Sequence, residues 1–359
     1  MNSVRFALIG CGRIAKNHVM PLTELPGAEL VAVCDLVAER GQAYGDRYGV
    51  PTYTNYHHMM AAESVDVVNI LTPSGMHATH AIDIMTRYQK HVAVEKPLAL
   101  AWRDIERMEQ VAIDQGVKIF PIYQNRYNKA VQRVRRDLLA GKLGKQVLGT
   151  VRLRWCRPQR YYDRDPWRGT WAMDGGALTN QGIHYLDLLQ YLMGDVESVY
   201  ARISTQLVDV EVEDTAVAVL TFVNGAQGVV EVTTAARPDD FEASISILAE
   251  QGTVILTGIA CNQLSTYTLD PAAPETDSEV FPDAYGYGHW SFFQDIIAEL
   301  QTKQAHPISF SEGTRAIRLL NAIYRSAEDG RNVKLEERLT SQRLGCPDPS
   351  LLALYETSA

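Results

Sequence analysis

VRFALIGCGRIA, residues 4–15, joins an apolar run directly to a glycine-rich turn. The run Val4–Ile9 is typical of a β-strand buried on both faces of a parallel sheet. The turn matches the pattern G-x-G-x-x-G/A, with Gly10, Gly12 and Ala15 at its fixed positions, and a helix is predicted directly after it. A strand, this turn and a helix in succession predict the first βα unit of a dinucleotide-binding domain.

The residues of this turn have separate roles in holding a diphosphate. Gly10 permits the tight turn, and Gly12 removes a Cβ that would block the phosphate. At the start of the helix, backbone N–H groups and the positive end of the helix dipole favour an anion. We therefore predict that Gly10, Gly12, Arg13 and Ile14 bind a dinucleotide cofactor.

The choice of cofactor depends on the end of the second predicted strand. Asp35 lies there, 20 residues after Ala15. A carboxylate at this spacing accepts hydrogen bonds from the adenosine ribose hydroxyls and repels a 2′-phosphate. We expect NAD rather than NADP, and Arg40 leaves NADP as the alternative.

The pattern of elements changes near residue 121. Residues 1–121 alternate short apolar strands with helices such as Trp102–Gln115, which predicts a doubly wound parallel sheet, an α/β Rossmann domain for NAD(P). In residues 122–335 several strands follow one another closely, which predicts an α+β domain with a large, mostly antiparallel open sheet. Residues 336–359 are assigned as a tail, and the Pro- and acid-rich residues 271–283 as an exposed loop.

The composition excludes several classes of protein. The 359 residues include 34 Lys and Arg against 43 Asp and Glu, a net charge of −9, which argues against a nucleic-acid or anionic-membrane binder. No apolar run approaches the roughly 20 residues of a membrane helix. The N-terminus shows no basic and then apolar signal segment, and the five cysteines are scattered. We expect a cytoplasmic protein with reduced thiols and no metal site.

Polar residues follow two further predicted strands, at the sheet edge where such folds bind ligands. Thr72-Pro73 follows one strand, with His77 at the start of the next helix, and Glu95-Lys96-Pro97 follows another. A single Lys is more often a solvated surface charge, but a Lys directly after a buried strand is a candidate catalytic residue. We predict that Thr72, Pro73, His77, Glu95 and Lys96 line the cofactor site.

A third cluster lies in the segment 174–187, DGGALTNQGIHYLD. Asn180, His184 and Asp187 recur at i, i+4 and i+7, so a helix would place all three on one face. A lone helical His is more often structural than catalytic, and this alternative stays open for His184.

Gly10–Ala15, Glu95-Lys96-Pro97 and Gly175–Asp187, in this order, resemble the motifs of the Gfo/Idh/MocA family, the glucose–fructose oxidoreductase and inositol dehydrogenase group. The resemblance extends from Val4 to about Val333. It implies an NAD(P)-binding Rossmann domain and an α/β domain that covers a small-molecule sugar substrate and builds a homo-oligomer, a dimer or tetramer. It also implies that Lys96, position 180 and His184 surround the reacting hydroxyl. Asn180 departs from the Asp of many members.

These residue types suit the oxidation of an alcohol. An amide cannot accept a proton near neutral pH, so Asn180 is expected to hold a neighbouring hydroxyl. We assign His184 as the general base and Lys96 as the group that polarises the oxygen, and the two roles are open to exchange.

An Arg-rich, aromatic segment indicates the kind of sugar. Residues 152–168, RLRWCRPQRYYDRDPWR, contain six Arg against two Asp, and Arg side chains bind phosphate or carboxylate bidentately. The polar string at residues 124–128, QNRYN, together with WRGTWAMDGG at residues 167–176, resembles the family branch that acts on nucleotide-linked aminosugars or sugar uronates. A solvated basic loop or a subunit interface are the alternatives. The predicted substrate-binding residues are Gln124, Arg126, Arg157, Arg168, Trp171 and Asn180.

The leading hypothesis is therefore an NAD-dependent dehydrogenase that oxidises a ring hydroxyl, at C3, of a nucleotide-linked sugar or sugar acid. The alternatives are a dehydrogenase or ketoreductase of a free sugar or cyclitol, and an NAD-dependent glycosidase. A non-enzyme alternative is an NAD(H)-binding redox sensor, against which the presence of both Lys96 and His184 argues.

Overall fold

The computed structural model describes residues 3–281 and 285–355, which divide into two compact units. Unit 1 comprises residues 3–122, 289–314 and 347–355. Unit 2 comprises residues 123–281, 285–288 and 315–346. Each unit has its own sheet and its own buried apolar core.

The sheet of unit 1 has six strands, all parallel, in the order β3-β2-β1-β4-β5-β6. Phe6, Leu8 and Val68 are fully buried, as expected for strands covered on both faces. The chain reverses its direction of winding between β1 and β4, where open α/β sheets bind ligands. The strands are β1 Val4–Ile9, β2 Ala28–Cys34, β3 Thr52–Tyr53, β4 Val67–Ile70, β5 His91–Val94 and β6 Ile119–Pro121.

Five helices connect these strands: α1 Ala15–Glu24, α2 Ala38–Tyr48, α3 Tyr56–Ala62, α4 His77–Tyr88 and α5 Trp102–Gln115. The sequence analysis predicts α5 with these bounds but does not identify α2. The buried positions of α2 are Gly41 and Gly45 rather than large apolar residues, so the helix has a weak apolar pattern. A Cβ on Gly45 would overlap the Thr52 side chain, so the helix packs closely against β3.

The sheet of unit 2 has eight strands in the order β13-β12-β11-β7-β10-β9-β8-β14. All neighbouring pairs are antiparallel except β7 with β10, which confirms the predicted fold class. Asn224-Gly225 forms the hairpin between β9 and β10, with Gly225 at a φ of 84°. The strands are β7 Gln146–Arg154, β8 Val196–Ser204, β9 Thr215–Phe222, β10 Gln227–Thr233, β11 Glu242–Ala249, β12 Thr253–Thr257, β13 Gln263–Tyr267 and β14 Val333–Lys334.

Helices cover one face of this sheet and leave apolar residues of the strands exposed. The helices along this part of the chain are α6 Lys129–Leu139, α7 Gln159–Tyr162, α8 Ile183–Met193 and α9 Ala273–Thr276. Helix α8 packs on β7, while Tyr200, Val217 and Val219 remain exposed. The helix that the spacing of Asn180, His184 and Asp187 predicts is divided, because Leu178–Gly182 forms a π-helical turn ahead of α8. Helix α9 lies within the predicted loop 271–283, of which 282 and 283 are outside the described residues.

The last helices are α10 Gly288–Thr302, α11 Phe310–Asp329 and α12 Pro349–Leu352. The chain returns to unit 1 at residues 289–314 and 347–355, while residues 315–329 of α11 belong to unit 2. The sequence analysis assigns residues 289–314 to the second domain, whereas these residues cluster with unit 1. Phe293 explains the difference, because its buried ring contacts Phe6 of β1 edge to face, 5.7 Å between centroids. No helix within the described ranges is long and apolar enough to cross a membrane.

Candidate active site

The glycine-rich turn of unit 1 has the geometry of an anion site. Gly10 has a φ of 102°, and a Cβ there would lie 2.6 Å from the Leu71 carbonyl oxygen. A Cβ on exposed Gly12 would meet no atom of the described chain within 4 Å. Among the residues described, no side chain caps α1 at Ile14 and no acid lies in its first turn. The open space and the helix start fit the diphosphate of a dinucleotide.

Asp35 lies next to this turn. Its carboxylate accepts N–H bonds from Cys11 at 2.7 Å and from Val37 at 2.9 Å, so it holds the ends of β1 and β2 together. The Asp35 residue is half-exposed. This placement suits the predicted contact with a ribose.

His77 connects the two strand ends that carry the other predicted cofactor residues. Its ring nitrogens lie 2.8 Å from the Thr72 carbonyl oxygen and 2.7 Å from that of Pro97. The ring is buried, and burial lowers the pKa of His77. We infer that His77 positions the segments around Thr72 and Lys96, since both of its nitrogens face backbone oxygens.

Glu95 is the centre of a buried hydrogen-bonded cluster. Its Oε1 lies 3.1 Å from Nε2 of His18 and 3.3 Å from Nε2 of His289, and its Oε2 accepts the backbone N–H of Lys96 at 3.0 Å. Burial alone would raise the pKa of Glu95, but the two imidazole hydrogen bonds hold it well below its usual range. Burial lowers the pKa of His18. An ionised carboxylate with imidazole donors therefore fixes the backbone at Lys96.

The same three ligand atoms lie within 4.8 Å of one another, a spacing that a metal ion could also use. Metal-bound histidines usually donate their second ring N–H to a partner. Within the described part of the chain, Nδ1 of His18 and Nδ1 of His289 have no hydrogen-bond partner. Neutral rings that donate from Nε2 explain this arrangement, so we interpret the cluster as hydrogen-bonded.

In unit 2, two polar side chains interrupt a buried segment. Over residues 173–190, every residue is buried except Asn180 and His184, which are half-exposed. Asn180 lies in the π-helical turn and His184 in the first turn of α8. Asn180 and His184 are therefore the accessible residues of this segment, whereas Asp187, which the spacing places on the same helical face, is buried.

Asp174 orients the Asn180 amide and is missed by the sequence analysis. The Asn180 amide nitrogen donates to Oδ1 of buried Asp174, and Oδ2 of Asp174 accepts the Gly169 N–H at 2.8 Å. Because a carboxylate only accepts hydrogen bonds, the Asn180 nitrogen must face Asp174. The carbonyl oxygen of Asn180 is therefore directed away from Asp174, as an acceptor. An acid six residues before Asn180 is a weak signal, since its direction depends on the turn between them.

Asp187 and Arg126 pair with each other inside unit 2. Arg126 donates from Nε at 2.8 Å and from Nη2 at 2.6 Å to the two Asp187 oxygens, and both side chains are buried. The guanidinium also lies over the ring of Tyr191, 4.6 Å from its centroid. This bidentate pair gives Arg126 a structural partner, whereas the sequence analysis assigns it to substrate. Gln124 is also buried, and its Oε1 has no hydrogen-bond partner among the described residues.

The predicted substrate arginines lie among aromatic rings and acids. Arg157 lies 4.9 Å from the Trp155 ring centroid and donates to Asp240 at 2.8 Å. Arg168 lies 4.5 Å from the Trp167 ring centroid and donates to Asp165 at 3.1 Å. Both arginines also contact Tyr161. The two guanidinium groups therefore have intramolecular acid partners with which an anionic substrate would compete.

Trp171 is held by its own neighbours. Its indole N–H donates to the Glu211 carbonyl oxygen at 2.8 Å, and Arg343 lies over the ring at 4.3 Å from the centroid. The ring also contacts Tyr324 edge to face. Trp171 is half-exposed, so one part of the indole remains accessible.

Two family models match this chain. The model described as an oxidoreductase family with an NAD-binding Rossmann fold matches residues 4–123, and the GFO/IDH/MocA C-terminal domain matches residues 131–255. The chain belongs to the GFO/IDH/MocA family. The resemblance that the motifs predict is thereby confirmed.

Relatives of this GFO/IDH/MocA protein are dehydrogenases. The WlbA dehydrogenase of Bordetella pertussis, solved in complex with NADH and UDP-GlcNAcA, is 38% identical with a TM-score of 0.87, over 93% of this chain and 98% of that one. The D-apiose dehydrogenase of Paraburkholderia graminis is 28% identical over 92% of this chain and 89% of the relative. The myo-inositol 2-dehydrogenase of Thermotoga maritima is 27% identical over 93% of this chain and 99% of the relative.

This member of the GFO/IDH/MocA family is therefore an NAD-binding oxidoreductase within a group of sugar and cyclitol dehydrogenases. The predicted NAD cofactor and enzyme class are confirmed. The open turn at Gly12 and the start of α1 are the features of this chain that fit the cofactor.

Proposed function

We propose that this chain oxidises a secondary ring hydroxyl, at C3, of a nucleotide-linked sugar or sugar acid. The observation that carries this proposal is the 38% identity, over nearly the whole chain, to a dehydrogenase solved with UDP-GlcNAcA. The apiose and inositol dehydrogenases are 28% and 27% identical. The Arg and aromatic residues of segment 152–168 support an anionic substrate.

In the proposed mechanism His184 takes the proton of the hydroxyl, because an imidazole accepts protons near neutral pH. Lys96 polarises the same oxygen and stabilises the developing negative charge. Bound NAD supplies the carbon that accepts the hydride from the alcohol C–H bond. Gly10, Gly12, Arg13, Ile14 and Asp35 hold the cofactor.

Asn180 positions the sugar in this proposal. Asp174 accepts a hydrogen bond from the Asn180 amide nitrogen, and we assign the Asn180 carbonyl oxygen the role of accepting a neighbouring sugar hydroxyl. Arg157 and Arg168 bind the diphosphate or carboxylate, and Gln124 and Trp171 complete the set. Arg126 is excluded from this set, because its guanidinium pairs with Asp187.

A turnover screen tests the proposal. The purified protein is assayed for NADH formation with NAD and UDP-GlcNAcA, UDP-GlcNAc, D-apiose or myo-inositol. We expect the highest kcat/KM with UDP-GlcNAcA, and a C3 ketone in the product by NMR. Turnover of D-apiose or myo-inositol alone would establish the free-sugar or cyclitol alternative. Cleavage of a glycoside without net formation of NADH would establish the NAD-dependent glycosidase alternative. Binding of NAD without any turnover would establish the redox-sensor alternative.

The open face of the eight-stranded sheet supports a further proposal, a homo-oligomer. Tyr200, Val217 and Val219 are 39%, 47% and 51% exposed. A row of exposed apolar side chains on a sheet commonly marks a protein–protein interface. Analytical ultracentrifugation is expected to find a dimer or tetramer, and Val219→Lys is expected to dissociate it.

A further inference from the structure

Glu213 is a buried carboxyl beneath the turn that precedes α8. Its Oε1 accepts the backbone N–H of Leu178 at 3.0 Å and the hydroxyl of Tyr324 at 2.8 Å. Its backbone carbonyl accepts the N–H of Ala177 at 3.0 Å. One residue, distant in sequence, thus binds two consecutive N–H groups at the start of the π-helical turn.

Gly176 leaves the space that this carboxyl occupies. A Cβ on Gly176 would overlap the Glu213 carboxyl, so only glycine allows the contact. Tyr324 extends the cap, because its hydroxyl accepts the Gly176 N–H at 3.3 Å and lies 2.8 Å from Oγ1 of Thr179. The first N–H groups of a helix have no partner within it, and Glu213 and Tyr324 supply those partners here.

The charged and titratable groups around Glu213 are few. Tyr324 of α11 donates to it, and Tyr162 of α7 and Arg343 interact with it electrostatically. Arg343 also lies over Trp171 and 3.8 Å from Glu328, so a second carboxylate shares its charge. Burial raises the pKa of Glu213 to about 7. No hydrogen-bond partner for Oε2 exists among the residues that the structure describes.

We propose that Glu213 is a positioning residue for Asn180 and His184, because its side-chain and backbone oxygens hold the turn that carries them. The inference rests on the proposed function, because it assigns proton transfer to His184. The carboxyl accepts both hydrogen bonds at Oε1 in either protonation state, but the ionised form buries charge on Oε2 beside Gly176, where no hydrogen-bond partner exists among the described residues. Deprotonation therefore loosens the turn, and a shift of about 1 Å in a reacting group costs roughly 10²-fold in rate.

The test compares Glu213→Gln and Glu213→Ala in the full chain, with exposed Glu197→Gln as the control. With UDP-GlcNAcA and NAD, Glu213→Ala is expected to lower kcat about 100-fold while KM for NAD changes little. The neutral isostere Glu213→Gln is expected to keep kcat. It is also expected to lose the fall in kcat above about pH 7 that the unmodified protein shows. An unchanged kcat in Glu213→Ala, or equal losses in both variants, would overturn the inference.

Hydrogen exchange separates this inference from the proposed function. By mass spectrometry, the peptide containing Leu178 is expected to exchange faster in Glu213→Ala than in Glu213→Gln, whether or not UDP-GlcNAcA is a substrate. Equal exchange in both variants would contradict the cap. If Glu213→Ala does not fold, Tyr324→Phe removes the bonds to Gly176 and Thr179. This variant is expected to lower kcat severalfold, and an unchanged kcat would count against the cap.

Discussion

Two glycine-containing turns precede helices in this chain, and they differ in what faces the missing Cβ. At Gly12 the space is open within the described structure, and the residue is exposed. At Gly176 the Glu213 carboxyl occupies the space, and the residue is buried. The first turn offers its helix start to a ligand, whereas the second is capped by the protein itself.

The comparison shows that a glycine before a helix does not by itself indicate a phosphate site. The same absence of a side chain allows a ligand to approach at Gly12 and a carboxyl to pack at Gly176. We accordingly assign cofactor binding to the first turn and propose that the second positions side chains of the protein.

The largest expected effect is on kcat, and it distinguishes cofactor binding at the first turn from the positioning of side chains at the second. His184→Ala and Lys96→Ala should each lower kcat by roughly 10²–10⁴-fold, the usual contribution of a positioned acid–base group. NAD affinity, measured by calorimetry, should stay within a factor of about three in His184→Ala, since cofactor binding is assigned to the other turn. In the double variant, the fold-decrease in kcat should be smaller than the product of the two single fold-decreases. Near-full turnover of His184→Ala would make this histidine structural.

The next effect concerns the glycines themselves. Gly176→Ala should lower the free energy of unfolding by about 3 kcal/mol, because its Cβ would overlap Glu213 in a packed interior. Gly12→Ala should leave stability within about 0.5 kcal/mol, because its Cβ meets no atom within 4 Å among the described residues. It should weaken NAD binding instead. Urea unfolding and calorimetry measure both, and equal losses of stability would refute the comparison.

Two buried glutamates, Glu95 in unit 1 and Glu213 in unit 2, are expected to make stability depend on pH in opposite directions. The pKa of Glu95 is lowered, so its stabilisation is present above its unfolded pKa and disappears as pH falls through the folded pKa. Glu95→Gln should cost about 2 kcal/mol at pH 7, because an amide N–H would face an existing donor. The Glu95→Gln variant should also lose less of its free energy of unfolding than the unmodified protein when the pH is lowered.

The pKa shift of Glu213 has the opposite sign to that of Glu95. Its pKa is raised to about 7, so its protonated form stabilises the fold at low pH and this stabilisation is lost as pH rises through about 7. Replacement by Gln should remove a pH-dependent term on the order of 3 kcal/mol. Unfolding free energies measured from pH 4 to 9 distinguish the two glutamates, and parallel profiles would contradict the assignment.

The smallest effect concerns cofactor choice at the open turn. Asp35→Ser removes the charge that repels a 2′-phosphate and should change the NAD to NADP preference by roughly tenfold, or about 1.4 kcal/mol. Kinetics with both cofactors measure the ratio. Equal turnover of NAD and NADP by the unmodified protein would refute the role of Asp35.

Much of the architecture follows from local patterns in the sequence. The strand Val4–Ile9 and the helix Trp102–Gln115 agree with their predictions at both ends, because apolar runs and helical periodicity are local. Helix α2 escapes prediction, since its buried face contains Gly41 and Gly45. The π-helical turn at 178–182 also escapes prediction, and its first N–H groups are bound by Glu213 and Tyr324, which are distant in sequence.

The partners of the candidate site residues depend on distant segments. The Glu95-Lys96-Pro97 motif is visible in the sequence, but His18 and His289 are 77 and 194 residues from Glu95. Spacing alone does not indicate which polar groups meet across such distances. For the same reason Arg126 is assigned to substrate, although its guanidinium pairs with Asp187.

The discontinuity of unit 1 has a consequence for synthesis on the ribosome. The first 122 residues contain the whole six-stranded sheet, but the Phe293 ring that contacts Phe6 and the His289 imidazole beside Glu95 follow much later in the chain. The core of unit 1 therefore stays incomplete during translation until the ribosome has passed residues 123–288 of unit 2. Its carboxylate at Glu95 would meanwhile have His18 as its only imidazole donor among the residues already made. Chaperone binding to nascent chains should accordingly concentrate on lengths between about 120 and 300 residues, beyond which α10 completes the core.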